Sequence, residues 1–264
     1  MSTPPPRSET SSAADALVGA GVRLPTAAVD ITADDAGRAG RARVADGRVA
    51  AAAPEDPIAP AARDGYVAAY SAVDGVVWLA GGKDPATGRD RRTIWRYSLA
   101  GGEWQPRFDR GELLVGREML SLAYDSTRHS VYLLDVVREH WGRADRHRRD
   151  VVRLLRLDDP TGEVTELLRV PRTRAFEHLA ITALPDGTLA LTAALGPTTW
   201  IWRLGVTGPS AKHLGLRVEP ARLVASPFMG KREALVPVLD RRRTIRYLTL
   251  SPGSFKGGPS CDAL

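Results

Sequence analysis

The chain of 264 residues is predicted to be all-β, built from about four antiparallel units of four strands each between residues 61 and 255. Three observations lead there. From Arg63 onward, apolar runs of strand length alternate with turn signals. An unusual string, "TIWRYSL" at Thr93 to Leu99, returns as "TWIWRLG" at Thr199 to Gly205. Related strings, Val152-Arg153-Leu154 and Ile245-Arg246-Tyr247, complete a series spaced 58, 49 and 44 residues apart. Recurrence at such intervals marks a structural unit that has been copied and reused.

The first unit runs from Arg63 to Gly82 as "RDGYVAAYSAVDGVVWLAGG", then through a polar loop to "TIWRYSLAGGEW", Thr93 to Trp104. Its Asp-Gly and Gly-Gly pairs supply the positive-φ positions that tight hairpins need. The second spans "REMLSLAYDSTRHSVYLLDVV", Arg117 to Val137, and "VVRLLRLDDPTGEVTELL", Val151 to Leu168. The third pairs "RAFEHLAITALPDGTLALTAA", Arg174 to Ala194, with "TWIWRLGVTGPSAKHLGL", Thr199 to Leu216. The fourth pairs "RLVASPFMGKREALVPVL", Arg222 to Leu239, with "TIRYLTLSPGSF", Thr244 to Phe255. Each opens with an arginine and places its second strand about a dozen residues later. A lone meander has two open faces, so the copies are expected to stand side by side around an axis, a β-propeller-like arrangement. Trp95 and Trp202, at matching positions, are then blade-to-blade packing.

Four units make a small or incomplete ring. The fourth ends in "SPGSFKGGPSCDAL", a poor outer strand, and an open blade edge invites self-association. Residues 1–60 are rich in Ala, Pro, Ser, Asp and Gly and hold no aromatic residue, so this segment is expected to be largely disordered. Within it "ARVADGRVAA", Ala42 to Ala51, reads as two strands around an Asp-Gly turn, a hairpin expected to complete or cap the sheet array. Residues 256–264 read as a flexible tail.

The first unit resembles a kelch motif. Gly81 and Gly82 end the second strand, Tyr97 stands in the third, and Trp104 follows at the expected remove. The start of unit three, "RAFEHLA", also fits that family's first strand. Units two to four lack the double glycine and second Trp, so they join on strand spacing alone. The resemblance implies a propeller used chiefly for binding. Galactose oxidases share the architecture, but their copper site needs a Tyr cross-linked to a Cys, and the sole Cys261 lies in the tail.

Charge is expected to divide by face. In a four-stranded blade, the loops between second and third strands share one face with the blade-to-blade connections. On that face the charges sum to +10, against about −3 for the opposite hairpins. Arg91 and Arg92 in the first such loop, Arg148 and Arg149 in the second, and Arg241 and Arg242 in the fourth are the candidate charge donors. Trp141, inside the second loop, is the candidate apolar anchor. Guanidinium forks bind carboxylate and phosphate groups, so the expected partner is an acidic protein or peptide, or a polyanionic glycan. The competing expectation is a solvated surface on which Asp84, Asp90, Asp145 and Asp150 pair with these arginines. Nucleic acid ranks lower, because no interleaved aromatic platform accompanies the arginines.

Little catalytic chemistry is legible. A single cysteine excludes an internal disulfide and a cysteine-built zinc site. Its final four residues have the outline of a prenylation box, but Asp262 stands where an aliphatic residue is usual. The five histidines fall in different units with no metal-ligand spacing, and neither a phosphate loop nor a nucleophile elbow is present. No cofactor is expected, and a non-catalytic binding module is favoured over a galactose oxidase-like or glycan-active enzyme with a site at the central channel, and over a structural fragment of a larger propeller assembly. No run is long and apolar enough for a membrane helix. The N-terminus lacks the pattern of a secretory signal, which leaves the cytoplasm as the default expectation.

Overall fold

The structure, a computed structural model, describes residues 42–45, 48–51, 60, 64–71, 73–108, 118–141, 147–172, 176–229 and 233–255. The expectations for the rest of residues 1–60, for Asp145 and for the tail with Cys261 lie outside these residues. Strands β1 (Ala42–Ala45) and β2 (Arg48–Ala51) form the expected hairpin about Asp46-Gly47. Four antiparallel four-stranded sheets follow, set in a ring as the blades of a four-blade β-propeller. Blade 1 holds β3 (Asp64–Ser71), β4 (Val76–Lys83), β5 (Ile94–Ser98) and β6 (Glu103–Phe108). Blade 2 holds β7 (Glu118–Asp125), β8 (Ser130–Trp141), β9 (His147–Asp158) and β10 (Val164–Pro171). Blade 3 holds β11 (Glu177–Ala183), β12 (Leu189–Leu195), β13 (Thr198–Gly205) and β14 (Lys212–Glu219). Blade 4 holds β15 (Arg222–Leu223), β16 (Phe228–Met229), β17 (Ala234–Leu239) and β18 (Ile245–Leu250).

Blade 4 departs from the pattern. β15 and β16 pair with successive parts of one edge of β17, through Leu223 opposite Val238 and Phe228 opposite Leu235. They are halves of one split inner strand, so the sheet fills three positions. After β18 the chain turns through a short 3-10 helix, Pro252–Ser254. Proline at its start has no N–H to give a fourth ladder.

The recurring string now has a physical meaning. Along a strand, side chains alternate between faces. Ile94 packs with Leu122 and Leu155 of blade 2, Val152 with Leu191 and Trp202 of blade 3, and Ile201 with Val236 and Leu248 of blade 4. The first residue of each string thus faces the next blade, and the second faces the preceding one. Trp202 accordingly lies in the apolar layer between blades 2 and 3, as expected, while Trp95 lies on the side of blade 1 that faces away from blade 2. Ile94, Val152 and Ile201 are 0% exposed, whereas Ile245 of blade 4 is 49% exposed.

At the second position blade 2 carries Arg153 in place of Trp. Its guanidinium donates two bonds to Asp135, 3.0 and 2.6 Å long, with Glu166 at 3.8 Å. Both members of this pair are buried.

The segment from Arg138 to Asp150 corrects the sequence reading. It is expected as a loop, but β8 and β9, twelve residues each, extend into it as far as Trp141 and from His147. The register sets Arg138 opposite Asp150, Glu139 opposite Arg149 and His140 opposite Arg148. Opposite charges facing one another across a ladder favour pairing, so charged residues extend the strands instead of ending them. Trp141 and Arg148 are strand residues, not loop residues.

The turn aspartates are structural. Asp158 accepts the backbone N–H of Thr161 at 2.9 Å and its hydroxyl at 2.8 Å, which hold the carboxyl below its usual range. Burial pushes Asp186 upward, but bonds from the Thr188 hydroxyl and N–H and from Arg203 outweigh it, and its value is also lowered. A folded value below the unfolded one, about 3.9, means the contribution is present above that pH and lost as pH falls through the folded value. The D158N/D186N double variant should therefore lose less stability than the parent between about pH 5 and about pH 3. Urea midpoints across that window check this; equal losses would refute it.

Candidate functional site

Every inner strand starts at the end of the axis where the loops between second and third strands lie. Gly65 of β3, Glu118 of β7 and Glu177 of β11 stand around that mouth. Three adjoining cavities open there, the largest about 910 Å³, and all three are lined by Arg172. Arg172 follows β10 on the connection to blade 3. Its N–H donates to the Asp150 carbonyl at 2.9 Å, and its guanidinium donates to Glu118 at 2.8 Å.

Local irregularities shape this mouth. β7 is bulged between Met119 and Ser121, and β11 between Glu177 and Ala180. A bulge turns a side chain away from its regular direction. His178, inside the second bulge, has φ 51° and is exposed at the cavity wall. Below the bulges the two strands are pinned together, since Ser121 accepts the N–H of Ile181 at 3.0 Å. On the blade 1 side, Gly81 has φ 72°, and a Cβ there would lie 2.8 Å from the Met119 sulfur. Only glycine lets β4 approach β7 this closely.

Of the sequence-predicted residues, Arg91 and Arg149 come to the wall of these cavities. Arg91 is ion-paired with Asp84 of its own loop. The backbone N–H of Thr87 leads the donors that hold the Asp84 carboxyl below its usual range, with Ala86 and Arg91 adding to it. Arg138 likewise pairs with Asp150 at 3.3 Å. The expected pairing of Asp84 and Asp150 with neighbouring arginines is thus observed. Arg92 and Arg149 are exposed, and among the described residues no carboxylate lies in ion-pair reach of either. Arg241 and Arg242 lie in the β17–β18 turn, exposed and outside the cavity walls. Trp141 and Arg148 sit at the end of the long hairpin, with side chains outside the described residues.

Sequence reasoning missed Glu118, Arg138, Arg172, Phe176 and His178 as wall residues. The segment "PRTRAFEH" was legible as a positive connection and a strand start, but only packing shows that it reaches the axis. Phe176 there is anchored edge-on against Trp200 and Trp202, with ring centroids 6.0 and 5.6 Å away. The wall therefore joins a rigid aromatic ring, fixed Arg–carboxylate pairs and the exposed guanidinium of Arg149. Such a set can hold a carboxylate, sulfate or phosphate group by forked hydrogen bonds.

The opposite end of the blades uses its charges internally. Arg128 of blade 2 donates to Asp125 at 2.7 Å and to the Gly187 carbonyl of blade 3 at 2.6 Å. Arg107 of blade 1 donates to Asp159 of blade 2 at 2.8 Å. Among the described residues no group of three His, Cys, Asp or Glu side chains converges as a metal site, and no helix is long and apolar enough to cross a membrane.

No protein-family model matches the chain, and no curated protein matches it. Among solved structures it is similar to the extracellular domain of a hybrid two-component system from B. thetaiotaomicron. Identity is 13% and the TM-score 0.39, over 80% of this chain and 24% of that one. The chain thus spans about a quarter of that protein's length.

Proposed function

We propose that the protein is a non-catalytic binding module that receives an acidic peptide or protein segment, or a polyanionic glycan, in the cleft at the mouth of the axis. One observation carries this reading. Arg91, Arg138, Arg149 and Arg172, drawn from two blades and a connection, converge on adjoining cavities beside Phe176. Arg149, exposed at the cavity wall, meets an incoming carboxylate first. Arg138 and Arg172 then exchange Asp150 and Glu118 for the ligand, at modest cost because these pairs are partly exposed. We take the repeat to be of kelch type. The glycine pair Gly81-Gly82 at the end of β4 and the contact of Tyr97 with Trp104, centroids 5.0 Å apart, support that assignment.

Titration with poly-glutamate and with a carboxylated glycan, at increasing salt, tests the reading. Charge-assisted bonds contribute roughly 1.5–3 kcal/mol each, so the R149Q variant should bind at least tenfold more weakly. Salt should weaken the parent more than the variant. Glutamine sets no like charge opposite Glu139 across the ladder, so the thermal midpoint should change little. Unchanged affinity in the variant would discard the proposal.

A further inference from the structure

Blade 1 has an apolar face that points away from blade 2. On it Val77, Leu79, Tyr97 and Trp104 are at most 2% exposed, flanked by the partly buried Tyr66, Tyr70, Trp95 and Leu99. Every described member of this cluster belongs to blade 1 itself. Trp104 sits on β6, the edge strand, where one sheet cannot bury an indole without a layer above it. The Trp95 indole nitrogen is also shut off from solvent.

Among the described residues, none from blade 4 joins that layer. The blade 4 position equivalent to Ile94 and Ile201 is Ile245, 49% exposed, so the side of blade 4 that would meet a following blade is open there. No apolar cluster among the described residues joins blade 4 to blade 1.

The chain just ahead of β3 has the matching chemistry. In the β1–β2 hairpin, Val44 pairs with Val49 and Ala42 with Ala51, so strand alternation groups these four on one face of the ribbon. The other face takes the pairs Arg43 with Ala50 and Ala45 with Arg48. A two-stranded ribbon is marginal in water by itself and needs a surface to cover its apolar side. Residues 52–63 join it to β3 and span up to about 40 Å when extended, more than the width of a four-stranded blade. Pro60, on this connection, is buried.

We propose that the hairpin β1–β2 forms the layer over blade 1, with the Val44/Val49 side against Tyr97 and Trp104. The N-terminal segment then takes the place that a preceding blade would occupy and seals the aromatic face.

Two measurements on the full chain test this. A photo-crosslinking phenylalanine analogue placed at Val49 should couple to peptides within residues 66–108. Coupling confined to blades 3 or 4, coupling between two chains, or none would overturn the proposal. In the V44D/V49D variant, amide hydrogen exchange in β5 and β6 should quicken at least tenfold while β12 and β13 keep their protection. The R43E/R48E variant, altered on the other side of the ribbon, should exchange like the parent. Unchanged exchange in V44D/V49D would also overturn the assignment, and the crosslink stands independently of how that variant folds.

Discussion

Asp135→Ala is expected to lower the unfolding free energy by about 3–5 kcal/mol, the usual penalty for leaving one half of a buried ion pair uncompensated. Asp135 is 0% exposed and Arg153 3%, and they share two hydrogen bonds across β8 and β9. Removing the carboxylate leaves the Arg153 guanidinium without its closest counter-charge in the layer between blades 1 and 2, with Glu166 at 3.8 Å. Glu166 is engaged by Arg169 through bonds of 2.6 and 2.7 Å, which limits what it can offer in exchange. A domain of this size loses roughly 2–4 °C per kcal/mol, so the thermal midpoint should fall by about 10 °C. Burial pushes the Asp135 carboxyl above its usual range against the pull of Arg153, so desolvation offsets much of what the pair contributes. Hence a D135L/R153M variant, which removes both charges, should recover most of the loss. A double variant as unstable as the single one would show that the pair is a net source of stability. Calorimetry on the two proteins makes the comparison.

Trp78→Ala should cost a comparable 3–5 kcal/mol, roughly, by opening a cavity in the layer between blades 1 and 2. Trp78 is 0% exposed, with the ring of Phe108 at 6.2 Å and that of Tyr124, from blade 2, at 5.8 Å. Its indole nitrogen is buried with no hydrogen-bond partner, so nothing polar is lost with the side chain. Trp78→Phe keeps part of the ring contact and removes that unsatisfied donor, and should cost distinctly less. Urea midpoints for the two substitutions decide it. Equal losses would mean that the indole has a role beyond packing. Trp78 and Trp202 fill successive inter-blade layers, which is why neighbouring blades stand at a set spacing.

The blade pattern was legible because it is local. Ile94-Trp95-Arg96 and Ile201-Trp202-Arg203 each put one residue toward the next blade and one toward the preceding blade, which follows from a period of two. The hairpin at residues 42–51 was legible for the same reason, through Asp46-Gly47 between two short runs. Legibility failed where charge was read as loop. Arg138 to Asp150 looked like a polar connection, yet cross-strand pairs such as Arg138 and Asp150 prolong the ladder. Arg241 and Arg242, which carry the same charge as Arg91 and Arg149, stand in the β17–β18 turn and line none of the three cavities. The split of the first strand of blade 4 into β15 and β16 was equally hidden, since the sequence pattern assigned that unit only by strand spacing.

The sequence by itself determined the repeating meander and the face that strand residues take, because alternation and turn chemistry act within a few residues. Only the tertiary structure decided which arginines share a cavity. That depends on how closely β4 meets β7 at Gly81, on the bulges that displace Met119 and His178, and on the path of the Arg172 connection to the axis. These are distances between segments far apart in the chain, set by how whole sheets pack, and no local pattern encodes them.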